Sequence, residues 1–486
     1  MKTSTSTPPG LLTHSTPLIL GYGLAGHIIS ALLSHKRIKH TVVTAGAPEK
    51  IHKHYPSTAF IQQKSLHTLS KISKTLGIAQ PRTLPINTFV YATYIPRLTK
   101  DKLKQNRRPI SFSTTGPIAF ANNLGYMLDI EAFLASLHEF AASKTYQKLI
   151  LEPVTKVILQ ANRRAKTTNK TLHKTPHLQH LSPNHARPMQ WTAYTPKNSY
   201  SGYPLVVATG PKPLKLFSDR VKNMLGANAT HAQSTPTVNY MQGVEYLVPV
   251  PTNTYEKLSH TIYFIASNVF PGYGAWIAPS VHPTTLKIGF ALYQEAFIQT
   301  GITTLKKHLA RIVAKVLGTA SNKASNKIRK IRFTSPIAKL IPIALKPTKR
   351  LLEPPGLAMF VGDAGLHVGN LLLDGIYPTA HMSWVISHAI ASMHTTGVAD
   401  TANKGTNLPN DKTKKNSSQN IAATHFLLDQ VYTKMSLYTT KFTTLRRLFD
   451  FFTQNPSVFK AFHKLSVLAF PPAIKLLMRI KQSQRP

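Results

Sequence analysis

The first apolar run in the chain is followed by closely spaced glycines, and this pattern predicts a strand, a tight turn and a helix. Residues 17–20 are apolar, three glycines fall between positions 21 and 26, and mainly apolar residues continue to about position 34. Residues 41–44, Thr-Val-Val-Thr, form a second strand-like run. A strand, a helix and a second strand within about 30 residues form a βαβ unit. We therefore predict a βαβ unit over residues 17–46.

Other apolar patterns predict the remaining elements. Apolar residues at helical spacing predict helices around residues 126–144 and over residues 302–318. Apolar runs that alternate with turns over residues 237–295 predict an antiparallel sheet. Short buried strands are predicted at residues 205–208 and 357–361, and each is followed within two residues by a glycine. The mixture of these patterns is typical of an α/β protein with more than one domain.

Composition narrows the possible classes of protein. Of the 486 residues, 59 are Lys or Arg and 17 are Asp or Glu, which gives a net charge of +42, while 42% are hydrophobic and none is Cys. The apolar content excludes wholesale disorder. The absence of Cys excludes a disulfide scaffold, a thiolate metal site, an iron–sulfur cluster and a cysteine nucleophile.

The charge leaves two interpretations open. The excess of basic residues runs along the whole chain, so it reflects either attraction to an anionic partner or a general depletion of acids. No nucleic-acid-binding motif accompanies it, so we expect no specific nucleic-acid partner. No apolar stretch reaches the roughly 20 residues that span a bilayer. We expect a cytoplasmic protein.

The glycines after the first predicted strand match the pattern G-x-G-x-x-G. Gly21 allows a tight turn, Gly23 allows the backbone to approach a pyrophosphate, and Gly26 allows the helix to pack on the strand. Ala25 lies in the same turn, where the helix N-terminus supplies amide donors. The acidic residue that usually binds the ribose at the end of the second strand is missing, since Thr44 ends that strand. We predict dinucleotide binding at this turn.

A second motif lies at residues 361–376. Gly362 and Asp363 follow a predicted strand, and Gly375 and Ile376 open a predicted helix. This segment resembles the second FAD motif of the para-hydroxybenzoate hydroxylase superfamily, and most closely that of its geranylgeranyl reductase branch. The resemblance implies that Asp363 contacts the ribityl–pyrophosphate region of FAD and that the backbone at Gly375 and Ile376 faces the flavin ring. A helix N-terminus there would stabilise negative charge on a reduced flavin.

Three further segments resemble the same superfamily in the same order along the chain: residues 125–129, 206–210 and 271–279. The second contains Gly210, at the point where the resemblance returns the chain beneath the FAD. The third contains Tyr273 and Trp276, which either line a substrate cavity or fill the core. We favour the cavity because the resemblance places this sheet over the flavin.

The resemblance implies an α/β fold with a discontinuous Rossmann-like FAD-binding domain, an antiparallel β-sheet substrate domain and a helical C-terminal tail. The predicted segments are a flexible tail (1–15), a first FAD-binding segment (16–90), a substrate-domain segment (91–120), a second FAD-binding segment (121–236) with a basic insertion (161–200), the substrate domain (237–345), a third FAD-binding segment (346–398), a linker (399–420) and the helical tail (421–486).

The implied function is that of an FAD-dependent oxidoreductase acting on a hydrophobic, isoprenoid-type substrate. Reduced FAD would deliver hydride from its N5 to a carbon–carbon double bond, with NAD(P)H or another reductant as the electron donor. Three alternatives stay open: an FAD-dependent monooxygenase, a lycopene cyclase-like protein that uses FAD without net redox change, and a degenerate FAD-binding protein. The missing ribose acid motivates the last of these.

The C-terminal tail, residues 421–486, interleaves apolar and basic residues, as in Leu445-Arg446-Arg447-Leu448. Basic amphipathic helices of this kind lie in a membrane interface, with Lys and Arg towards anionic headgroups. The other interpretation is that the tail packs on the body of the protein. Peripheral attachment to an anionic membrane surface is therefore one of two expectations for this segment.

Four histidines at residues 173, 177, 180 and 185 have spacings that suit a metal ion. No acidic residue lies near them, and their surroundings are basic and rich in Thr and Pro. A solvated loop is the expected structure. We predict no metal site.

Overall fold

The computed structural model describes residues 16–49, 58–96, 111–120, 123–161, 189–219, 221, 238–320, 333–346, 350–352, 357–369, 375–402, 411–441, 443–461, 467, 468 and 472. The predicted flexible tail at residues 1–15, the histidines at 173–185 and the C-terminal residues 473–486 lie outside these ranges.

The described helices are α1 (Leu24–His35), α2 (Gln63–Leu76), α3 (Ile130–Ala142), α4 (Thr252–Leu258), α5 (Gln294–Thr300), α6 (Ile302–Ala320), α7 (Ile376–Ala402), α8 (Asp411–Thr440) and α9 (Thr443–Gln454). The described strands are β1 (Leu18–Leu20), β2 (His40–Thr44), β3 (Thr58–Ile61), β4 (Thr83–Ile86), β5 (Thr88–Ile95), β6 (Ser111–Thr114), β7 (Ile118–Ala119), β8 (Gly125–Asp129), β9 (Gln147–Leu151), β10 (Lys156–Ala161), β11 (Met189–Tyr194), β12 (Ser199–Gly202), β13 (Leu205–Val207), β14 (Val238–Pro249), β15 (Thr261–Ser267), β16 (Gly272–Pro279), β17 (Thr285–Tyr293), β18 (Ile337–Ala344), β19 (Leu351–Leu352) and β20 (Ala358–Phe360).

A mainly parallel sheet contains the strands that carry the glycine motifs. Its strand order is β19-β20-β13-β1-β2-β9, and only the edge pair β19–β20 is antiparallel. The central strands β1 and β13 are fully buried, as expected for uninterrupted apolar runs covered on both faces. The chain runs outwards from β1 through β2 to β9 and then returns to β13 on the other side of β1. Such a reversal of strand order creates a crevice at the carboxyl ends of the strands.

A larger, mainly antiparallel sheet forms the second layer of the molecule. Its order is β18-β14-β17-β16-β15-β5-β6, with β7 also paired to β5, and β15–β5 is its parallel pair. Helix α6 covers one face, where Leu305, Leu309 and Ile312 pack among buried residues of the strands. The chain enters this sheet at Thr88, slightly before the predicted boundary at residue 91. The predicted α/β class, with both kinds of sheet and a helical C-terminal region, is confirmed.

The beginning of the tail belongs to the body of the protein. In α8, Leu428, Tyr432 and Met435 are buried in the core of the parallel sheet. The Tyr432 hydroxyl donates a hydrogen bond of 2.7 Å to the carbonyl oxygen of Phe360 in β20. Helix α9 lies against β16 of the larger sheet. For these two helices, packing on the body is the interpretation that the structure supports.

Three sequence predictions are corrected. The linker predicted at residues 399–420 is wrong where the structure describes it, because α7 extends to Ala402 and α8 begins at Asp411. Polar residues such as Lys and Gln are good helix formers, and a helix propagates easily from an anchored segment. The helix predicted around 126–144 begins only at Ile130, since Gly125–Asp129 form β8 between β3 and β4.

The third correction concerns the basic insertion predicted at residues 161–200. Residues Met189–Tyr194 and Ser199–Gly202 are the strands β11 and β12 of a small antiparallel sheet with β10. Trp191 is fully buried, and its indole nitrogen donates to the carbonyl oxygen of Leu357 at 3.2 Å. The end of the predicted insertion therefore belongs to the core. No helix within the described residues combines the length and the apolar character that crossing a bilayer requires.

Candidate functional site

Three glycine-containing turns meet at one edge of the parallel sheet. Leu20 of β1 lies opposite Val207 of β13, and Val207 lies opposite Phe360 of β20. The turns that follow these three aligned residues contain the three sequence motifs, which are far apart along the chain. The fold thus brings the predicted cofactor-binding segments together at the carboxyl edge of the sheet, where open α/β sheets bind their ligands.

Two glycines of the first turn are required by packing. Gly21 has a φ of 92°, and a Cβ there would lie 2.4 Å from the carbonyl oxygen of Ala208. A Cβ on Gly26 would lie 2.2 Å from the carbonyl oxygen of Gly21. The turn at Gly21 therefore packs closely against the backbone that follows β13, and α1 packs closely against the turn at Gly26. These contacts match the tight-turn and close-packing roles expected for the first and third glycines.

The N-terminus of α1 has neither a side-chain cap nor an acidic residue. Gly23 is its N-cap residue and provides no side-chain hydrogen bond, and the first turn contains no acidic residue. Ala25 lies in this turn and is buried. The first amide groups of a helix have no partner within the helix and carry a partial positive charge. The arrangement suits a phosphate group.

The second motif lies against the first. Gly362 has a φ of 66° and begins a short 3₁₀ turn, and a Cβ there would lie 3.8 Å from the Cβ of Ala25 and 3.6 Å from the side chain of Thr379. Thr379 belongs to the first turn of α7, which begins at Ile376 directly after Gly375. The N-termini of α1 and α7 and the turn at Gly362 are therefore neighbours.

The residue types at this edge fit a polar ligand. Gly210 has a φ of 91°, and no atom of the described residues lies within 4 Å of the position a Cβ would take. The buried hydroxyl of Thr209 has no hydrogen-bond partner among the residues that the structure describes. A buried polar group without a partner is costly unless a ligand or water satisfies it. Open space beside Gly210 and an unsatisfied hydroxyl at Thr209 both fit a dinucleotide.

His367 follows the second motif and is fully enclosed. It is 3% exposed, and its Nδ1 has no hydrogen-bond partner among the described residues. Burial, and secondarily the Arg350 guanidinium, lowers the pKa of His367 to about 3. The imidazole is therefore neutral near pH 7 and does not bring a positive charge to this edge of the sheet.

Asp363 is linked to the larger sheet by an ion pair. The Nζ of Lys339, on β18, lies 3.1 Å from an Asp363 carboxylate oxygen. The Lys339 side chain is 53% exposed, so water screens the interaction. The sequence offered no signal for Lys339, which is one of 59 basic residues. This ion pair shows that the face of the larger sheet that carries Lys339 is turned towards the candidate dinucleotide-binding edge of the parallel sheet.

Tyr273 and Trp276 lie on β16 in this larger sheet. Their rings are 5.8 Å apart in an edge-to-face arrangement, and both side chains are half-buried. The Trp276 indole lies across Gly289, where a Cβ would be 2.5 Å from the ring. Trp276 pairs with Gly289, and Gly289 pairs with Glu245. Directly paired residues share a face.

The same register places Trp276 on the Lys339 face. Gly243 and Glu245 are two residues apart along β14 and therefore lie on the same face, and Gly243 pairs with Lys339. Trp276 therefore lies on the face that is turned towards Asp363. An ion pair that was not predicted from the sequence joins Lys287 and Glu245 on this face, at 2.8 Å with side chains 7% and 19% exposed. A Glu within an apolar strand of a chain with so few acids was the available signal.

The described residues contain no group of His, Asp or Glu side chains that could hold a metal ion.

Comparison with solved structures identifies the fold. The chain is similar to PqsL, a probable FAD-dependent monooxygenase from Pseudomonas aeruginosa, with a TM-score of 0.52 and 11% identity over 92% of this chain and 99% of that chain. It is similar to the p-nitrophenol 4-monooxygenase PnpA from Pseudomonas putida DLL-E4, with a TM-score of 0.50 and 10% identity over 95% and 98% of the two chains. A geranylgeranyl bacteriochlorophyll reductase-like protein from Thermoplasma acidophilum gives a TM-score of 0.46 and 12% identity over 93% and 99%.

These likenesses define the class of architecture. The chain shares the fold of PqsL and PnpA, and in this chain that fold combines a mainly parallel sheet with a second, largely antiparallel sheet. Identities of 10–12% show the fold alone. No protein-family model and no curated protein sequence matches the chain.

Proposed function

We propose that the protein binds FAD and acts as an FAD-dependent oxidoreductase on a hydrophobic substrate. The observation that carries this proposal is the meeting of three glycine turns and the N-termini of α1 and α7 at one edge of the parallel sheet. A single glycine turn is common, whereas this convergence joins segments from the start, middle and end of the chain.

The residues at this edge divide the binding of FAD among them. The amides at the start of α1 would hold the pyrophosphate. Asp363 would contact the ribityl–pyrophosphate region, with Lys339 within reach of the same groups. Gly375 and Ile376 would face the flavin ring at the start of α7. At the end of β2, Thr44 offers a hydroxyl where related sites have an acid, so ribose binding relies on a weaker hydrogen bond.

The substrate proposed is apolar. Half-buried rings at Tyr273 and Trp276 pack with Met241, Ala291 and Ile343 on the face turned towards Asp363. Bound FAD in its reduced form supplies a hydride donor. The chain's own contribution is to orient the substrate against this face and to exclude water from it.

Within this class, we propose reduction of a carbon–carbon double bond in an isoprenoid-type substrate, with NAD(P)H or another reductant as the electron donor. The support is the resemblance of residues 361–376 and 271–279 to geranylgeranyl reductases. A flavin monooxygenase is the second candidate, favoured by the two similar structures that are described as monooxygenases.

Reconstitution with FAD tests the central proposal. Purified protein should retain flavin absorption after gel filtration and release it on denaturation. Gly23→Val should remove this binding because its side chain blocks the approach of a pyrophosphate to the backbone. Gly116→Val is the matched control, since Gly116 is exposed and a Cβ there contacts none of the described residues within 4 Å. Wild-type protein that retains no flavin would contradict the proposal.

Anaerobic photoreduction of the bound flavin separates the two activities. A reductase reoxidises when a prenyl lipid with reducible double bonds is added without oxygen, and it forms the saturated product. A monooxygenase reoxidises with oxygen and transfers an oxygen atom to substrate. Flavin that binds but stays reduced with prenyl lipids would contradict the reductase proposal and leave FAD binding intact.

A further inference from the structure

Helix α9 turns three of its polar residues, Arg446, Asp450 and Thr453, towards the protein. Arg446 and Thr453 are each 1% exposed. The Nε of Arg446 lies 2.9 Å from a carboxylate oxygen of Asp450, and the Tyr293 hydroxyl donates to the same carboxylate. The amide of Gly272 donates to the Thr453 hydroxyl at 3.2 Å. These bonds attach α9 to the strands β16 and β17 through polar groups.

The opposite side of α9 is apolar and exposed. Leu445, Leu448 and Phe451 are spaced three residues apart and are 36%, 51% and 54% exposed. We call these three residues the outer face of α9. A surface helix of a globular protein normally has the reverse arrangement, with apolar residues inside and polar residues outside.

Other residues of the C-terminal segment are also apolar and exposed. Among the described residues, the exposed large apolar side chains of the C-terminal segment are Phe426, Leu427, Leu437, Leu445, Leu448, Phe451 and Leu468. Elsewhere in the described ranges such side chains are few and separate, namely Leu151, Ile298 and Ile302. A concentration of exposed apolar groups marks an interaction surface.

The charges beside the outer face select the partner. Lys441 and Arg447 are exposed, and Lys460 is exposed further along. Asp450, the acid that α9 itself contains, is turned inwards and paired with Arg446. The surface therefore combines apolar groups with exposed positive charge. This combination complements an anionic lipid surface, where apolar side chains enter the acyl boundary and cations meet the headgroups.

We propose that the outer face of α9 docks on an anionic lipid bilayer. Leu445, Leu448 and Phe451 enter the interface, and Lys441 and Arg447 contact headgroup phosphates. Because α9 packs against β16, docking brings the strand that carries Tyr273 and Trp276 close to the bilayer. The proposal concerns the apoprotein surface and does not depend on FAD.

Vesicle flotation of the full chain tests this docking. Wild type should bind vesicles of phosphatidylcholine with about 30 mol% phosphatidylserine, and added salt should weaken the binding without abolishing it. Leu448→Ser with Phe451→Ser should weaken binding about tenfold or more, because the inserted apolar area is lost. Ile298→Ser with Ile302→Ser is the matched control, since these exposed side chains lie on α5 and α6. All variants should keep the wild-type unfolding midpoint.

Arg447→Gln with Lys441→Gln should reduce the salt-sensitive component of binding and leave the salt-resistant component. Two results overturn the proposal. The first is binding of the Leu448 and Phe451 double variant to anionic vesicles with the same affinity as wild type. The second is a wild type that does not bind anionic vesicles and instead forms a dimer that the double variant disrupts. In that case a second copy of the chain covers the outer face.

Discussion

A pair of glycine-to-alanine substitutions isolates the close approach of β1 and β13. Gly21 and Gly210 have almost the same positive φ, 92° and 91°, so alanine carries a similar backbone strain of about 1–3 kcal/mol at either position. The two positions differ in the room that the surrounding atoms leave for a Cβ. A Cβ on Gly21 would lie 2.4 Å from the Ala208 carbonyl oxygen, whereas a Cβ on Gly210 has no atom within 4 Å in the part of the chain that the structure describes.

The magnitude follows from this difference. At Gly21 the new methyl group must push the turn away from β13, and overpacking of this kind costs about 1–3 kcal/mol beyond the strain. Gly21→Ala should therefore lower the free energy of unfolding by about 2–6 kcal/mol, and Gly210→Ala by only about 1–3 kcal/mol.

Urea unfolding of the two variants and wild type, followed by tryptophan fluorescence, measures both changes. Trp191 is fully buried beside the parallel sheet and reports on its loss. The informative quantity is the difference between the two variants, since the shared strain cancels. Equal losses of stability would refute the reasoning, because they would mean that the chain relieves the contact between Gly21 and Ala208 without cost.

Three further changes test the tail and the buried polar groups. Tyr432→Phe removes the hydrogen bond to Phe360 and should cost about 1 kcal/mol in urea unfolding, whereas Tyr432→Ala should cost about 3–5 kcal/mol by opening a cavity; equal costs would contradict this. Arg446→Met leaves the Asp450 carboxylate, whose pKa burial already raises, without its ion pair. Arg446→Met should therefore lower the free energy of unfolding by about 3–5 kcal/mol, and adding Asp450→Asn to the same chain should restore part of that stability. Burial lowers the pKa of His40 from 6.5 to about 4, so the neutral form stabilises the fold fully above pH 6.5 and unfolding becomes easier by roughly 2–3 kcal/mol as the pH falls towards 4. In His40→Gln the midpoint of urea unfolding should decrease less than in wild type as the pH is lowered.

The sequence predicted those regions of the fold in which local signals agree. Leu18–Leu20 and Leu205–Val207 are uninterrupted apolar runs that end near a glycine, and both are central strands of the parallel sheet. Gly125–Asp129 carries apolar residues that suit either a strand or a helix, and pairing with β3 and β4 makes it a strand. Short apolar segments leave this choice to tertiary contacts.

The direction in which a helix faces was the least predictable feature. The alternation of Leu445 and Leu448 with Arg446 indicated an amphipathic helix, but apolar pattern alone assigns the apolar side to the core. Arg446 is buried instead because Asp450 and the Met241 sulfur are there to receive its guanidinium, at 2.9 Å and 3.0 Å. Partners such as Met241 come from distant strands, and the same is true of Lys339 opposite Asp363.

The strand order of the parallel sheet also constrains how the chain is made. Leu18 pairs with Leu205, and Leu205 pairs with Ala358, so β1 gains its neighbour β13 only after the long stretch of chain between them has been synthesised. Contacts between residues so far apart in sequence slow folding and expose strand edges meanwhile. During synthesis, the edge of β1 that pairs with β13 therefore stays unpaired until Leu205–Val207 has been made, whereas β2 can pair with the other edge much earlier.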